Sequence, residues 1–142
     1  MRTFLKLAAV LMLSFGGYYL LMGLSALMAS GQIGQVAQSM DETIDPALAS
    51  QATVQLGLMM LSIGVLEGLA GLFGLLGGKR RKLLIASLAI SGVMLVANLV
   101  TLATTPFDWV YLVELSLPVM LLAAGIGVLR MGPENHPPRL SR

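Results

Sequence analysis

Four long runs of apolar residues, separated by short polar segments, restrict the fold of this chain more than any other feature. The runs cover residues 5–28, 52–78, 83–105 and 109–129. About 20 predominantly apolar residues suffice for a helix to cross the hydrocarbon core of a bilayer. The sequence therefore predicts an all-α integral membrane protein, in which a bundle of four transmembrane helices forms a single domain over residues 1–142.

The composition agrees with a membrane protein and excludes several other classes. Hydrophobic residues make up 56% of the chain and charged residues only 11%, whereas about 25% of the residues in an average soluble domain are charged. Such a chain is neither a soluble globular domain nor a disordered one. Because it contains no cysteine, it is also not a disulfide-stabilised secreted module.

The first apolar run has two interpretations, a retained helix and a cleavable signal peptide. Arg2 and Lys6 resemble the basic start of a signal peptide, and Ala29 fits the end of a cleavage site. The run 5–28 is, however, longer than the roughly 7–15 residues of a signal-peptide core, and Leu27 stands where a small residue is preferred. We therefore expect a retained transmembrane helix.

The charged residues of the loops are sorted by sign. The nine basic residues lie before or at the very start of the first run, between the second and the third, or after the fourth: Arg2, Lys6, Lys79, Arg80, Arg81, Lys82, Arg130, Arg139 and Arg142. The acidic residues of the two remaining loops are Asp41, Glu42, Asp45 and Asp108. Since basic loops are retained in the cytoplasm, we expect both termini there, an extracytoplasmic loop at 29–51 and a cytoplasmic tail at 130–142.

The same distribution of charge predicts a location and a set of partners. It is compatible with a multi-pass protein of the bacterial inner membrane, as is the lack of a glycosylation sequon at Asn98 and Asn135. The net charge of +2 follows from this topology and does not indicate nucleic-acid binding. The expected partners are the lipid bilayer and transmembrane helices, either of other proteins or of a second copy of this chain.

Glycines recur along the second run at a spacing typical of close helix packing. Gly57, Gly64, Gly71 and Gly78 are seven residues apart, and Gly68 follows Gly64 by four. Small residues let helix backbones approach closely in lipid, and a seven-residue period keeps them on one face of a left-handed crossing. We expect these glycines to form a packing face for the first run, within one chain or between chains. That run has a weaker repeat at Ala9, Gly16, Gly23 and Ser30.

Two acidic residues, Glu67 and Glu114, fall inside the predicted spans. Intramembrane acids are costly, face the interior of a bundle and often mark proton or ion pathways. From the helical rise per residue, Asn98 and Glu114 lie at similar depth and can hydrogen-bond, whereas Glu67 lies roughly 11 Å from Glu114 along the membrane normal. Pro118 removes the amide that would bond the Glu114 carbonyl. Glu67, Asn98 and Glu114 therefore form the candidate proton, cation or interhelical polar site.

The third run carries polar side chains at successive steps of four and three residues, which place them on one helix face. An unpaired polar group in hydrocarbon is costly. We therefore expect this face to turn toward the bundle interior or toward a partner. Its members are Ser87, Ser91, Met94, Asn98, Thr101 and Thr105.

Two functions fit these features. The first is a non-enzymatic accessory or structural subunit, which binds other membrane helices or its own copy through the glycine face of the second helix. The second is a small proton- or cation-coupled transporter that uses Glu67 and Glu114. The first is favoured because residues 70–77, between Glu67 and the basic turn, offer no polar stripe for an ion.

The sequence offers no set of residues that indicates catalysis. The single histidine, His136, lies in a proline-rich tail and has only Glu134 as a neighbour at ligand spacing. No glycine-rich phosphate-binding loop is present. We therefore expect neither enzyme activity, nor a metal site, nor a cofactor.

Overall fold

The protein is all-helical in a computed structural model, which describes residues 2–41, 43, 45–78, 80–104 and 109–131, with only the backbone at Val110. Its helices are α1 (Arg2–Met40), α2 (Pro46–Gly77), α3 (Arg81–Thr104) and α4 (Trp109–Arg130). All four contain segments long and apolar enough to cross a membrane, with mean hydropathies between 1.8 and 2.4. No strand occurs in the ranges given above. The predicted four-helix membrane bundle is thus confirmed.

The helices form a four-sided bundle. α1 packs mainly against α2 and α4, and α3 packs against the same two helices. Because at most five residues join successive helices, neighbours run antiparallel. One end of the bundle holds the start of α1, the α2–α3 turn and the end of α4, and we call it the basic end. The opposite end, which holds Asp41 and Asp45, is the acidic end. The described basic side chains of the basic end are Arg2, Lys6, Arg80, Arg81, Lys82 and Arg130.

The glycine repeats place the backbones of α1 and α2 in direct contact within one chain. A methyl group built on Gly64 would lie 2.8 Å from the carbonyl oxygen of Gly16 and 2.8 Å from the amide nitrogen of Leu20. Real Cβ atoms essentially never come this close to other heavy atoms. The repeat brings together Gly57 with Gly23, Gly64 with Gly16, and Gly71 with Ala9.

Two glycines of the predicted packing face behave differently. A methyl group on Gly68 would meet nothing within 4 Å, although a methyl group on Gly16 would meet the amide nitrogen of Gly68 at 2.6 Å. Gly68 therefore contributes its backbone to the contact with α1, while its own Cα hydrogens face open space. Gly78 lies beyond the end of α2, where a methyl group would meet only the carbonyl oxygen of Leu75, at 4.0 Å. It is not part of the packing face, because the chain has already turned toward α3.

The segment 29–51, expected to be a loop, is mostly helical. α1 continues to Met40 and α2 begins at Pro46, so only five residues connect them. A methyl group on Gly34 would lie 2.5 Å from the Pro46 carbonyl oxygen, and this close packing holds the two extensions together. A helix of 39 residues is about 58 Å long, whereas the hydrocarbon core of a bilayer is about 30 Å thick. The α1–α2 hairpin therefore extends well beyond a bilayer.

Polar side chains fix the turn of this hairpin. Asp45 is the N-cap of α2, and its carboxylate accepts a hydrogen bond of 2.8 Å from the amide of Ala47. Pro46 occupies the first helical position, where its missing amide costs nothing. The amide and hydroxyl of Thr43 both donate to Asp41 Oδ1, which lowers the pKa of that exposed carboxyl.

The polar face of α3 is buried from Ser87 to Met94, whereas Asn98 and Thr101 are only partly buried. Ser87 and Ser91 are fully buried and Met94 nearly so, whereas Thr105 lies outside the described residues. The Ser87 hydroxyl donates a hydrogen bond of 2.7 Å to the carbonyl oxygen of Ala70 on α2. This bond ties α3 to α2 in the core.

Ser87→Ala is expected to lower the free energy of unfolding by about 0.6–1.7 kcal/mol, the range of interhelical hydrogen bonds in membrane proteins. The measurement is unfolding of the purified protein in mixed micelles of increasing sodium dodecyl sulfate content. Ser91→Ala is the matched control, because the Ser91 hydroxyl donates within α3, to the Ser87 carbonyl oxygen at 2.9 Å. Equal losses in both variants would contradict a special role for the interhelical bond.

Candidate functional site

Glu67 is the most deeply buried acidic residue among those described. It lies in the middle of α2, with only 1% of its surface exposed. Gly64 and Gly71, on the same helix, lie against α1. The Glu67 Oε2 atom is buried and has no hydrogen-bond partner in the described part of the chain. Native proteins pair nearly all buried polar groups, so an unpaired carboxyl oxygen in the core of a membrane protein requires an explanation.

Glu114, on α4, is held by two other helices. Its Oε1 atom accepts a hydrogen bond from the Tyr19 hydroxyl of α1. Its backbone carbonyl oxygen accepts a second bond, of 3.2 Å, from the Asn98 side-chain amide of α3. That carbonyl is available because Pro118, four residues later, has no amide to donate. Asn98 and Glu114 thus meet, but through the backbone carbonyl rather than through the carboxyl group.

Glu67, Asn98 and Glu114 line one cavity of about 80 Å³ between α2, α3 and α4. This volume accommodates at least one water molecule or an unhydrated monovalent cation. The remaining walls are apolar, and the exposed side chains of Leu66 and Val93 mark its mouth between α2 and α3. Its apolar lining consists of Ile63, Leu66, Val93, Met94 and Ala97.

The separation of the two acids along the membrane normal does not keep them in separate sites. The depth estimate placed the Cα atom of Glu67 nearer the basic end than that of Glu114. Since α2 and α4 both begin at the acidic end, their Cα–Cβ bonds tilt the same way and leave this separation unchanged. The two acids share a site because one cavity is lined by both.

Tyr19 belongs to this site, and sequence reasoning missed it. The adjacent Tyr18 is exposed and packs edge-on against Tyr19 with ring centroids 5.7 Å apart. The signal was present, because a hydroxyl group in the middle of an apolar run needs a partner inside the bundle. Tyr19 lies just past the middle of its run, and Glu114 lies on the same side of the middle of its own. Depth alone would therefore have suggested the pair.

The chemistry of the site favours a proton or a monovalent cation. No group of three His, Cys, Asp or Glu side chains within the described ranges is placed to hold a metal ion, and none of the described residues that line the cavity is basic. The Glu114 carboxyl group is engaged with Tyr19, whereas Glu67 retains a free oxygen. Glu67 is therefore the group that can take up and release a proton, or coordinate a small cation together with water.

Comparison with known proteins assigns no family. No protein-family model, curated protein or solved structure matches this chain. The chemistry of its own residues is therefore the guide to its function.

Proposed function

We propose that the protein is a small proton- or cation-coupled membrane transporter in which Glu67 binds the coupling ion. The observation that carries this proposal is the Glu67 carboxyl group, which is buried, lacks a partner for Oε2 among the described residues and lines a cavity with Glu114. An acid kept only to hold helices together is expected to have its buried carboxyl oxygens hydrogen-bonded to a neighbouring helix, as Oε1 of Glu114 is. A proton or a cation supplies the partner that the protein does not.

The two acids have different roles in this proposal. Tyr19 and Asn98 fix Glu114 between three helices, so Glu114 forms the rigid wall of the site on the side of the acidic end. Glu67 is the exchanging group, because no described side chain holds its Oε2 atom.

The accessory or structural subunit is the second candidate. Its predicted contact surface, the glycine face of α2, is covered by α1 of the same chain, which weakens this form of the hypothesis. A different observation favours it, namely the apolar side chains on the part of the hairpin that extends beyond a bilayer. Met40 is 83% exposed, and Val36 and Leu48 are also exposed. A companion protein that co-purifies in a fixed ratio from native membranes would favour this candidate.

The proposal includes a location and an orientation. We place the protein in the bacterial inner membrane with the basic end in the cytoplasm, because basic loop residues are retained there. Reporter fusions at the two termini are expected to report the cytoplasm from both; opposite locations would contradict the orientation.

Glu67→Gln tests the transport proposal, since the amide keeps the shape and hydrogen-bonding capacity of the acid but does not ionise. The purified protein is reconstituted into vesicles that contain a pH-sensitive or sodium-sensitive dye, and a potassium gradient with valinomycin drives cations inward. We expect vesicles that contain the wild-type protein to take up protons or sodium faster than protein-free vesicles. We expect Glu67→Gln to reduce the rate to that of protein-free vesicles.

The matched control is Asp41→Asn, the same chemical change at an exposed acid outside the spans. It is expected to leave the flux unchanged. Wild-type flux equal to that of protein-free vesicles for both ions, or equal flux in the wild type and Glu67→Gln, would remove the proposal. Gel filtration in detergent verifies that the variants remain folded.

A further inference from the structure

A second, larger cavity lies at the basic end, far from the ion site. It is a cleft of about 590 Å³ between the start of α1, the end of α2 and the start of α3. Three cationic side chains line it, those of Arg2, Lys6 and Arg80. No acidic side chain is among its described lining residues. We call this cavity the basic cleft.

The basic cleft is amphipathic. Leucines line the cleft together with the cationic side chains. Leu5 is fully buried and forms part of the bundle core, whereas Leu76 is 50% exposed. In addition, α3 begins beside it at Arg81, and a helix N-terminus carries partial positive charge. The volume lies within the roughly 300–1,000 Å³ of small-molecule sites in proteins. A ligand that fits has an anionic head and an apolar body.

We propose that the basic cleft binds the phosphate headgroup of an anionic phospholipid from the leaflet at the basic end. Basic pockets between transmembrane helices, at the level of the headgroups, match this chemistry. Lys6 and Arg80 contact the phosphate, and the leucine walls contact the upper part of an acyl chain. The lipid bridges α1, α2 and α3 at the basic end of the bundle, beside the short α2–α3 turn.

The apolar walls distinguish a lipid from free phosphate. Inorganic phosphate has no apolar part, and it would leave the leucine surfaces of the cleft exposed. A phospholipid buries both surfaces at once and reaches the cleft by lateral diffusion, because the basic end lies at the membrane surface. Lipid binding in the basic cleft is independent of ion transport by Glu67.

One glycine of the basic cleft allows a test of ligand binding that changes no charge. Gly78 lines the cleft, and a methyl group on it would meet only the Leu75 carbonyl oxygen, at 4.0 Å. Its φ of −57° is that of an ordinary right-handed helical residue. The Cβ atom of a larger residue therefore fits at this position, and we expect the side chain of Gly78→Leu to occupy space that a ligand needs. Gly92→Leu is its control, because a Cβ there also meets nothing within 4 Å and lies outside the cleft.

The experiment is native mass spectrometry of the detergent-solubilised full chain, titrated with dioleoyl phosphatidylglycerol, dioleoyl phosphatidylcholine or inorganic phosphate. We expect one phosphatidylglycerol to bind with preference over phosphatidylcholine, which has the same acyl chains. We expect Lys6→Gln/Arg80→Gln to weaken that binding about tenfold or more, since each basic residue contributes to anionic-lipid affinity. Gly78→Leu is expected to weaken it as well.

Two controls separate a site from a general attraction. Arg81→Gln/Lys82→Gln removes the same charge from the same end, but neither residue lines the cleft, and Gly92→Leu adds the same bulk elsewhere. Both are expected to bind phosphatidylglycerol like the wild type. Equal weakening in the two double variants, or unchanged binding in Gly78→Leu, would overturn the proposal in favour of surface electrostatics. Inorganic phosphate that binds alone and displaces the lipid would overturn it in favour of a phosphate site.

Discussion

Gly71→Ala is expected to destabilise the fold by about 1–3 kcal/mol, which is the typical cost of adding bulk to a well-packed core. The added methyl group would lie 2.6 Å from the Ala9 carbonyl oxygen and 2.7 Å from the Leu13 amide nitrogen. Both are backbone atoms of α1, so no side chain can rotate away, and the helices have to separate. The measurement is the free energy of unfolding of the purified protein in mixed micelles with sodium dodecyl sulfate.

Gly68→Ala is the matched control for Gly71→Ala, on the same helix and less than one turn away. A methyl group there meets nothing within 4 Å. Alanine has a higher helix propensity than glycine by about 1 kcal/mol in water, so this variant is expected to be neutral or more stable. Equal destabilisation in both variants would contradict a packing role. It would mean that the glycines make α2 flexible and do not serve close packing against α1.

Much of the α1–α2 hairpin could be predicted from the sequence, because its determinants are local or periodic. The seven-residue spacing of Gly57, Gly64 and Gly71 places these glycines on one face of a helix, whichever helix packs against it. Asp45 and Pro46 mark a helix start through their own hydrogen-bonding properties. The identity of the partner was not predictable, because a glycine face fits a helix of the same chain and a helix of another chain equally well.

The length of the hairpin was not predictable from hydropathy. Residues 29–40 are polar enough to lie in water, and hydropathy reports where a chain meets lipid, whereas helix formation depends on backbone contacts. Here Gly34 packs against Pro46 and continues the close contact of the two helices past the membrane. A polar segment between two apolar runs is for this reason as compatible with a helical extension as with a loop.

The site was predicted in its members but not in its geometry. Glu67, Asn98 and Glu114 were identifiable because each is a polar group in an apolar run, and such groups must turn inward. Their shared cavity depends on how α2, α3 and α4 pack around it, which no single run encodes. The Tyr19–Glu114 bond joins residues that are 95 positions apart, so neither run indicates it on its own.

Glu67→Met and Glu114→Met are expected to change stability in opposite directions, and this contrast separates an ion-binding role of Glu67 from a structural one. Methionine approximates the volume of glutamate and fills irregular space. At Glu67 it removes a buried oxygen that has no partner among the described residues. An unsatisfied buried group costs about 1–3 kcal/mol, so we expect Glu67→Met to be more stable than the wild type by up to about that amount.

At Glu114 the same substitution removes the acceptor of the Tyr19 hydroxyl and leaves that hydroxyl unpaired in the bundle, so we expect a loss of about 1–3 kcal/mol. Unfolding of both variants in the same mixed micelles measures the sign of each change in the free energy of unfolding. A protein that retains a destabilising acid at Glu67 retains it for function, because a neutral residue of the same volume would serve the fold better. If Glu67→Met instead loses as much stability as Glu114→Met, then Glu67 holds the helices together and the transport proposal loses its main support.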